Sequence, residues 1–218
     1  MNDNKLPEKY VITIGRQMGS GGRIVGRKLA ERVGFSFYDK VLLMLAAVDA
    51  GLAPEFFERN DEKRPSYLAA PLTFSFGTGH LGWFDCGSND DALYTAQCNF
   101  IRQIADNGPC VIVGRSADYV LRDEPNVVNI FVHADIADCV RRVMERNPQL
   151  TSEQARTFVE KSNKSRAAFY NFYTEKGWGH ATSYDLCFNS SVLAIDDIVE
   201  LTAEYLHRRF GKTAALNK

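Results

Sequence analysis

A run of four β-branched residues, positions 11–14, leads directly into a glycine-rich stretch, and this feature constrains the fold more than any other. Such a run is typical of a strand buried on both faces of a parallel sheet. Four glycines follow between positions 15 and 22, and apolar residues then recur at helical spacing as far as Gly34. Glycine commonly ends a helix, so Gly34 is the predicted end of this one. The stretch as a whole predicts a strand, a tight turn and a helix in immediate succession.

This arrangement is suited to binding a phosphate group. Glycines let backbone N–H groups approach an anion at a helix N-terminus, where the helix dipole is positive. Arg16 and Arg23 flank the turn and favour an anionic ligand. An ordinary glycine-rich turn between a strand and a helix is the alternative. We interpret the stretch as a phosphate-binding loop, or P-loop.

The loop departs from the usual pattern G-x-x-x-x-G-K-[ST], in which the lysine contacts the β- and γ-phosphates and the hydroxyl binds Mg²⁺. If Gly21 is the second glycine of that pattern, Arg16 stands at the first glycine. Gly22 then stands at the lysine position and Arg23 at the hydroxyl position. The loop therefore keeps its glycine core and lacks both side chains that usually act on the nucleotide.

Length and composition exclude several other classes of protein. The chain has 218 residues and a formal net charge of −1, so no protein-wide field attracts nucleic acid. It contains neither a run of about 20 apolar residues nor a signal peptide. Its five cysteines are scattered without C-x-x-C, and its four histidines lack metal-ligand spacing. We expect a single cytoplasmic domain over residues 1–218, with no nucleic-acid or membrane partner and no metal site; the oligomeric state stays open.

Strand-like and helix-like segments alternate along most of the chain. Further strands are predicted at 35–38, 110–113, 127–133 and 184–189, and helices at about 24–33, 41–50, 93–107, 151–172 and 195–210, with another after Asp135. Asp135 is predicted to cap its helix, and Thr151 to form a capping box with Gln154. The alternation predicts an α/β fold: an open, mainly parallel sheet with helices on both faces and ligands at the carboxyl ends of the strands.

Residues 52–91 interrupt this alternation. They are rich in proline, glycine and aromatic residues and show neither helical nor strand periodicity. A long irregular segment in a compact domain is usually functional or disordered, and its aromatic residues favour function. We predict an insertion on the acceptor side, of which residues 73–84 form a mobile flap over the acceptor site.

Four segments occur in the order typical of the cytidylate-kinase-like branch of the P-loop nucleoside monophosphate kinases, and the chain resembles that family from Tyr10 to about Tyr205. The segments are I-G-R-Q-M-G-S-G-G-R at 14–23, F-Y-D-K at 37–40, V-I-V-G-R at 111–115 and Y-D-L-C-F-N at 184–189. The resemblance implies a P-loop NTPase-type fold. It also implies phosphoryl transfer from ATP or another NTP, with Mg²⁺, to the phosphate of CMP or dCMP.

The resemblance implies a donor site made of the loop and of a lid-like, arginine-rich helical region at about 141–170. The residues expected to bind the donor are Met18, Gly19, Ser20, Gly21, Gly22, Arg23, Arg141 and Arg146. Arg142, at the start of the same lid, is expected to act in catalysis together with Arg16, Arg23 and Arg115.

The acceptor residues match the family's motifs only in part. Asp39 matches the aspartate of L-D-T-G, which contacts the acceptor's sugar, but Lys40 and Val41 replace Thr-Gly. Arg115 matches the arginine of G-R-D, which binds the acceptor's phosphate, but a serine replaces the aspartate. Asp118 is a candidate substitute for that aspartate in binding the acceptor, and Arg166 is expected to contact the acceptor where the lid returns.

Phosphoryl transfer needs in-line positioning and neutralisation of charge rather than a protein nucleophile. We expect Arg23 to supply the charge that the lysine usually supplies, with Arg16 as a second contact. Since the hydroxyl is missing from the helix start, Mg²⁺ is expected to bind mainly through substrate phosphates and water, with Ser20 or Asp118 as protein contacts.

Two other functions are compatible with these residues. The altered acceptor motifs allow a kinase of another small metabolite. The altered P-loop allows a non-catalytic nucleotide-binding regulatory protein that has lost the lysine.

Overall fold

The structure is a computed structural model and describes residues 10–39 and 90–211. The predicted helix at 41–50, nearly all of the irregular insertion and the flap at 73–84 lie outside the described residues. Within the described residues, no helix combines the length and the apolar character that crossing a membrane requires.

The described strands form one sheet of five parallel strands in the order β2-β3-β1-β4-β5. They are β1 (Val11–Arg16), β2 (Ser36–Tyr38), β3 (Cys110–Val113), β4 (Val127–His133) and β5 (Leu186–Asn189). β1 lies at the centre, where Ile14 is in register with Val113 on one side and with Ile130 on the other. The carboxyl ends of β1 and β3 therefore meet at the same edge of the sheet.

Helices cover both faces of the sheet, as predicted. They are α1 (Gly22–Val33), α2 (Asp90–Asn107), α3 (Ala117–Val120), α4 (Ile136–Arg146), α5 (Ser152–Thr174) and α6 (Ile195–Phe210). On one face, α1 and α6 bury Leu29 and Leu206 against the strands. On the other face, α2 and α3 pack around Ile101 and Ile112. The apolar stripes that predicted the helices are thus the surfaces that form the core.

Local signals fix some of the helix ends. The Thr151 hydroxyl accepts a hydrogen bond from the backbone N–H of Gln154, and the Gln154 side chain accepts one from the backbone N–H of Thr151, so the predicted capping box is present. Gly34 ends α1 in the left-handed region, with φ of 74°. Asp135 does precede α4, but its side chain makes no capping hydrogen bond, so only its position agrees with the prediction.

The last strand is shorter than predicted. It begins at residue 186 instead of 184, because residues 181–183 form a single 3₁₀ turn before it. The Asp185 carboxylate accepts a hydrogen bond from the backbone N–H of Asn129 at 2.7 Å. A side chain thus aligns the start of β5 with β4.

Candidate functional site

Two loop glycines have conformations and neighbours that exclude a side chain. Gly19 and Gly21 have φ of 81° and 80°, in the region that favours glycine. A Cβ on Gly19 would lie 2.5 Å from the carbonyl oxygen of Cys139 in α4. A Cβ on Gly21 would lie 2.9 Å from Cδ1 of Ile195 at the start of α6. The loop is therefore packed directly between β1 and two helices.

Several backbone N–H groups of the loop are available for an anion. Among the described residues, those of Gly19, Gly21 and Arg23 have no hydrogen-bond acceptor. The N–H of Met18 donates to Oδ1 of Asn163 in α5 at 2.7 Å. Unpaired N–H groups at a helix N-terminus form an anion site, because the helix dipole adds positive potential there. The geometry is that of a phosphate cradle with α5 against one end.

Three arginines converge beside this cradle, and we call Arg16, Arg115 and Arg166 the arginine cluster. They come from the end of β1, the turn after β3 and the middle of α5, and each is partly buried. Nη1 of Arg166 donates to the carbonyl oxygen of Arg16 at 3.0 Å. The cluster therefore joins the lid-like helix α5 to the strand that precedes the loop.

Burial and mutual repulsion lower the pKa of every member of the cluster. Desolvation lowers the pKa of Arg16 to about 10, with Asp39 opposing this shift and Arg23 adding to it. Desolvation and then the charge of Arg16 lower the pKa of Arg115 to about 10. Desolvation, followed by Arg16 and Arg115, holds the pKa of Arg166 well below its usual value. Because a guanidinium group stays protonated in proteins, the site concentrates positive charge that an anionic ligand would neutralise.

The backbone at Arg115 is strained. Gly114, Arg115 and Ser116 have successive φ values of 80°, 66° and 51°. Arg115 and Ser116 carry side chains, and each non-glycine residue in this conformation adds strain on the order of 1–3 kcal/mol to the folded state. Nε2 of Gln97 donates to the Arg115 carbonyl oxygen at 3.4 Å, which helps to hold the turn. Strain of this kind is typical of functional sites, because the surrounding structure imposes it to aim a side chain.

Arg23 points away from the loop toward Asp39. Its Nε lies 2.6 Å from Oδ2 of Asp39, and its side chain is 58% exposed, whereas that of Asp39 is 6% exposed. The pair joins the start of α1 to the end of β2. Both residues lie near the cluster, as the effect of their charges on the pKa of Arg16 shows.

The arginines predicted for the lid have different surroundings. Arg142 donates to the Ser190 hydroxyl at 2.9 Å and to the Ser190 carbonyl at 2.7 Å, and the Ser190 hydroxyl donates to the carbonyl of Ser20 at 2.6 Å. Desolvation, followed by the charge of Arg23, lowers the pKa of Arg146. Arg142 and Arg146 thus lie against the loop or its flanking arginine.

Arg141, by contrast, lies on the exposed face of α4. Its guanidinium pairs with Asp138 at 2.8 Å and with Glu145 at 2.7 Å. Ion pairs at these helical spacings stabilise a helix surface slightly. The structure does not bring Arg141 into contact with the loop among the described residues, and its role in binding the donor stays a prediction.

Asp118 and Ser20, the protein contacts expected for Mg²⁺, are already hydrogen-bonded. The buried Asp118 accepts a hydrogen bond from the Tyr170 hydroxyl at 2.5 Å. The Ser20 hydroxyl donates to the Gln17 carbonyl at 3.0 Å inside the loop. Residues 10–39 and 90–211 contain no group of three His, Cys, Asp or Glu side chains suited to hold a metal ion. These side chains do not form a preformed cage for a cation among the described residues, and the binding of Mg²⁺ mainly through substrate phosphates and water stays a prediction.

Asn163 and Tyr170 belong to this site and were missed in the sequence. They lie seven residues apart on α5, one bonded to the loop and the other to Asp118. A spacing of seven residues places two side chains on one face of a helix, which is the signal that could have found them. That face of α5 covers the edge of the sheet where the predicted site lies.

The sheet order, the glycine loop before α1 and the arginines at the carboxyl edge define a P-loop kinase fold. Solved structures agree. A gluconokinase from Sinorhizobium meliloti 1021 matches with a TM-score of 0.53 at 16% identity, over 96% of this chain and 98% of that one. A shikimate kinase from Bacteroides thetaiotaomicron matches with a TM-score of 0.51 at 15% identity, over 91% and 98%. At such identities the likeness shows the fold alone.

The family follows from the sequence match. The model of the cytidylate kinase-like family matches residues 11–192, and the chain belongs to that family. An uncharacterized protein from Eubacterium ventriosum ATCC 27560 is similar in structure, with a TM-score of 0.68 at 28% identity over 91% of this chain and 98% of that one. No curated protein matches the chain. Family and fold together support phosphoryl transfer of the kinase type.

Proposed function

We propose that the protein transfers the γ-phosphoryl group of ATP or another NTP to the phosphate of a nucleoside monophosphate, with CMP or dCMP as the first candidates. The observation that carries the proposal is the arginine cluster beside the phosphate cradle. Three desolvated cations at the carboxyl edge of a parallel sheet match the negative charge of two substrates whose phosphates must come together. Membership of the cytidylate kinase-like family supports the choice of a nucleoside monophosphate.

On the donor side, the loop binds the β- and γ-phosphates through the N–H groups of Gly19, Gly21 and Arg23. Arg142 holds α4 against the loop, and Arg146 adds positive charge to this side. When bound with the NTP, Mg²⁺ would supply charge neutralisation on the phosphates. Fixed cations stabilise the transferring group more strongly in a desolvated site than in water.

On the acceptor side, Arg115 binds the acceptor's phosphate. Its guanidinium can form two parallel hydrogen bonds with phosphate oxygens, and the strained turn after β3 aims it. Arg166 approaches the same region from α5, and Asp39 faces it from the end of β2. Asp118 accepts a hydrogen bond from the Tyr170 hydroxyl of α5 and so supports this side of the site. The negative charge of the bound acceptor thus offsets the positive charge of the arginine cluster.

Measuring ADP released from Mg-ATP in the presence of each common nucleoside monophosphate tests the proposal. CMP or dCMP is expected to stimulate ADP release strongly over the rate without an acceptor. A control without protein and one with heat-denatured protein remove the background. If no nucleoside monophosphate stimulates release, the proposed acceptor is wrong.

A kinase of another small metabolite is the second candidate. Ser116 replaces the acidic residue of the acceptor motif, and the nearby Asp118 is bonded to Tyr170 rather than exposed to the site. Both observations weaken recognition of a particular base. Adding phosphorylated and hydroxylated metabolites to the same panel separates the two candidates. A protein that binds ATP without turnover on any acceptor would be the nucleotide-binding regulator.

A further inference from the structure

The lysine position of the P-loop has no room for a side chain in this protein. A Cβ on Gly22 would lie 2.6 Å from Cβ of Arg16 and 3.2 Å from Cβ of Val132. Distances below 3.0 Å require the neighbouring atoms to move, and Cβ of Arg16 is fixed to the backbone of the central strand. A lysine at position 22 and an arginine at position 16 therefore exclude one another in this backbone.

The Arg16 side chain passes through the space that Gly22 leaves open. Its first carbon lies beside Gly22 at the N-terminus of α1. Its guanidinium reaches Gly114, directly after β3. The Cζ atom of Arg16 would lie 2.7 Å from a Cβ placed on that glycine. Gly114 has φ of 80° and begins the turn that carries Arg115. The charge of Arg16 thus lies between the donor loop and the proposed binding site for the acceptor's phosphate.

Arg23, the other arginine that flanks the loop, is held elsewhere. Its Nε is 2.6 Å from a carboxylate oxygen of Asp39, so a described counter-ion already neutralises it. Among charged side chains, Asp39 has the largest effect on the pKa of Arg16 and Arg23 the next, and Arg16 in turn lowers the pKa of Arg115 and of Arg166. Of the two flanking arginines, Arg23 has a described ion pair with Asp39, and Arg16 lies among the buried arginines.

We infer that Arg16 contacts the transferring γ-phosphoryl group in place of the P-loop lysine, and that Gly22 is the partner that makes room for it. This inference rests on the proposed function, because it assigns a residue to the donor chemistry. Relative to the usual pattern, two residue types have exchanged places. Arg16 stands at the position of the first glycine, and Gly22 stands at the position of the lysine. The cation then enters from the end of β1 instead of from α1.

The exchange can be reversed by mutation. Arg16→Gln removes the charge and is expected to lower kcat about 100-fold, as the loss of one group that stabilises transition-state charge does. Gly22→Lys alone is expected to lower the melting temperature, because its Cβ meets Cβ of Arg16. The double variant Arg16→Gly/Gly22→Lys recreates the first glycine and the lysine of the usual pattern, with Arg23 still at the hydroxyl position. It is expected to regain at least a tenth of the wild-type kcat.

A binding measurement decides the inference independently of turnover. Isothermal titration gives the ratio of the dissociation constants for ADP and ATP, which reports contacts with the γ-phosphate. The wild type is expected to bind ATP more tightly than ADP. Arg16→Gln should abolish that difference and keep the affinity for ADP, and the double variant should restore the difference. Arg32→Gln, which removes an exposed ion pair between α1 and Glu200 of α6, is the control for charge and should change nothing.

Three results would overturn the inference. Arg16→Gln could retain both kcat and the preference for ATP while Arg23→Gln loses them, which would make Arg23 the substitute. The wild type could bind ADP and ATP equally well, which would remove any contact with the γ-phosphate. The double variant could fold with a wild-type melting temperature yet remain as impaired as Arg16→Gly. Failure of the wild type to phosphorylate any acceptor would instead overturn the proposed function, and the ATP preference would still test Arg16.

Discussion

The arginines of this protein occur in two contrasting settings. On the exposed faces of α4 and α5, Arg141 and Arg156 pair with carboxylates three or four residues away on the same helix. At the edge of the sheet, the arginine cluster gathers cations from three elements, and burial lowers the pKa of each. Both settings are rich in arginine in the sequence. Only in the second do cations from separate elements lower one another's pKa, and that difference favours a binding site over a solvated surface.

The largest expected effect comes from the cluster. Arg115→Lys keeps the charge but loses the planar, two-pronged donor, so we expect turnover to fall about 100-fold. Steady-state kinetics with varied acceptor measure this, and the loss should appear in kcat/KM for the acceptor. Arg122→Lys, at an exposed arginine after α3, is the matched control. Unchanged kinetics in Arg115→Lys would show that Arg115 acts only in the structure of the turn.

The next largest effect is expected in the phosphate-binding loop beside the arginine cluster. Gly19→Ala forces a side chain into the left-handed region and against the backbone of Cys139, so we expect the free energy of unfolding to fall by about 2 kcal/mol or more.

Gly34→Ala provides the comparison, because Gly34 has a similar φ of 74° with no atom within 4 Å of the added carbon. It should cost only about 1 kcal/mol, the penalty of the backbone conformation. Urea denaturation of both variants separates strain from steric contact. Equal losses would mean that α4 does not pack closely against the loop.

A smaller effect is expected from the buried carboxyl group at the wall of the site. Desolvation raises the pKa of Asp118 above its value in the unfolded chain, although the hydrogen bond from Tyr170 opposes this. The native state then binds the proton more tightly, so stability falls as pH rises from about 4 through the raised pKa.

Asp118→Asn should remove that decline from a plot of unfolding free energy against pH. Tyr170→Phe should extend the decline to higher pH, because it deletes a hydrogen bond that favours the ionised form. A wild-type profile that rises over this interval, with Asp118→Asn flattening it, would reverse the assigned sign.

The smallest effect is expected from the surface setting. Arg141→Gln breaks two exposed ion pairs, which contribute little to stability, and should change the KM for ATP less than about threefold. A tenfold rise in that KM would show instead that Arg141 binds the donor, as the family resemblance implies. The contrast between the two settings would then fail at this residue.

The sequence predicted the elements well because their signals are local. The buried strands at 110–113 and 127–133, the helix at 195–210 and the capping box at Thr151 all agree with the structure. Each depends on periodicity, β-branched residues or a cap within a few positions. The same local signals placed the glycine loop and Arg115 at one edge of the sheet, because parallel strands end together.

The partners of the site residues could not be predicted in this way. The contact of Asn163 with Met18 joins residues 145 positions apart. The pairing of Arg23 with Asp39 and the path of Arg16 past Gly22 depend on how β1, β2 and β3 lie side by side. These contacts follow from the packing of distant elements, which no pattern of neighbouring residues encodes.

Phosphoryl transfer from ATP to CMP is tested most directly by following the phosphorus atoms. In a ³¹P NMR time course with Mg-ATP and CMP, we expect protein-dependent resonances of CDP and ADP that grow at equal rates while those of ATP and CMP decline. The arginine cluster would then serve a transfer between two nucleotides. Release of inorganic phosphate at the same rate with and without CMP, and no resonance from any diphosphate acceptor product across the panel, would contradict it.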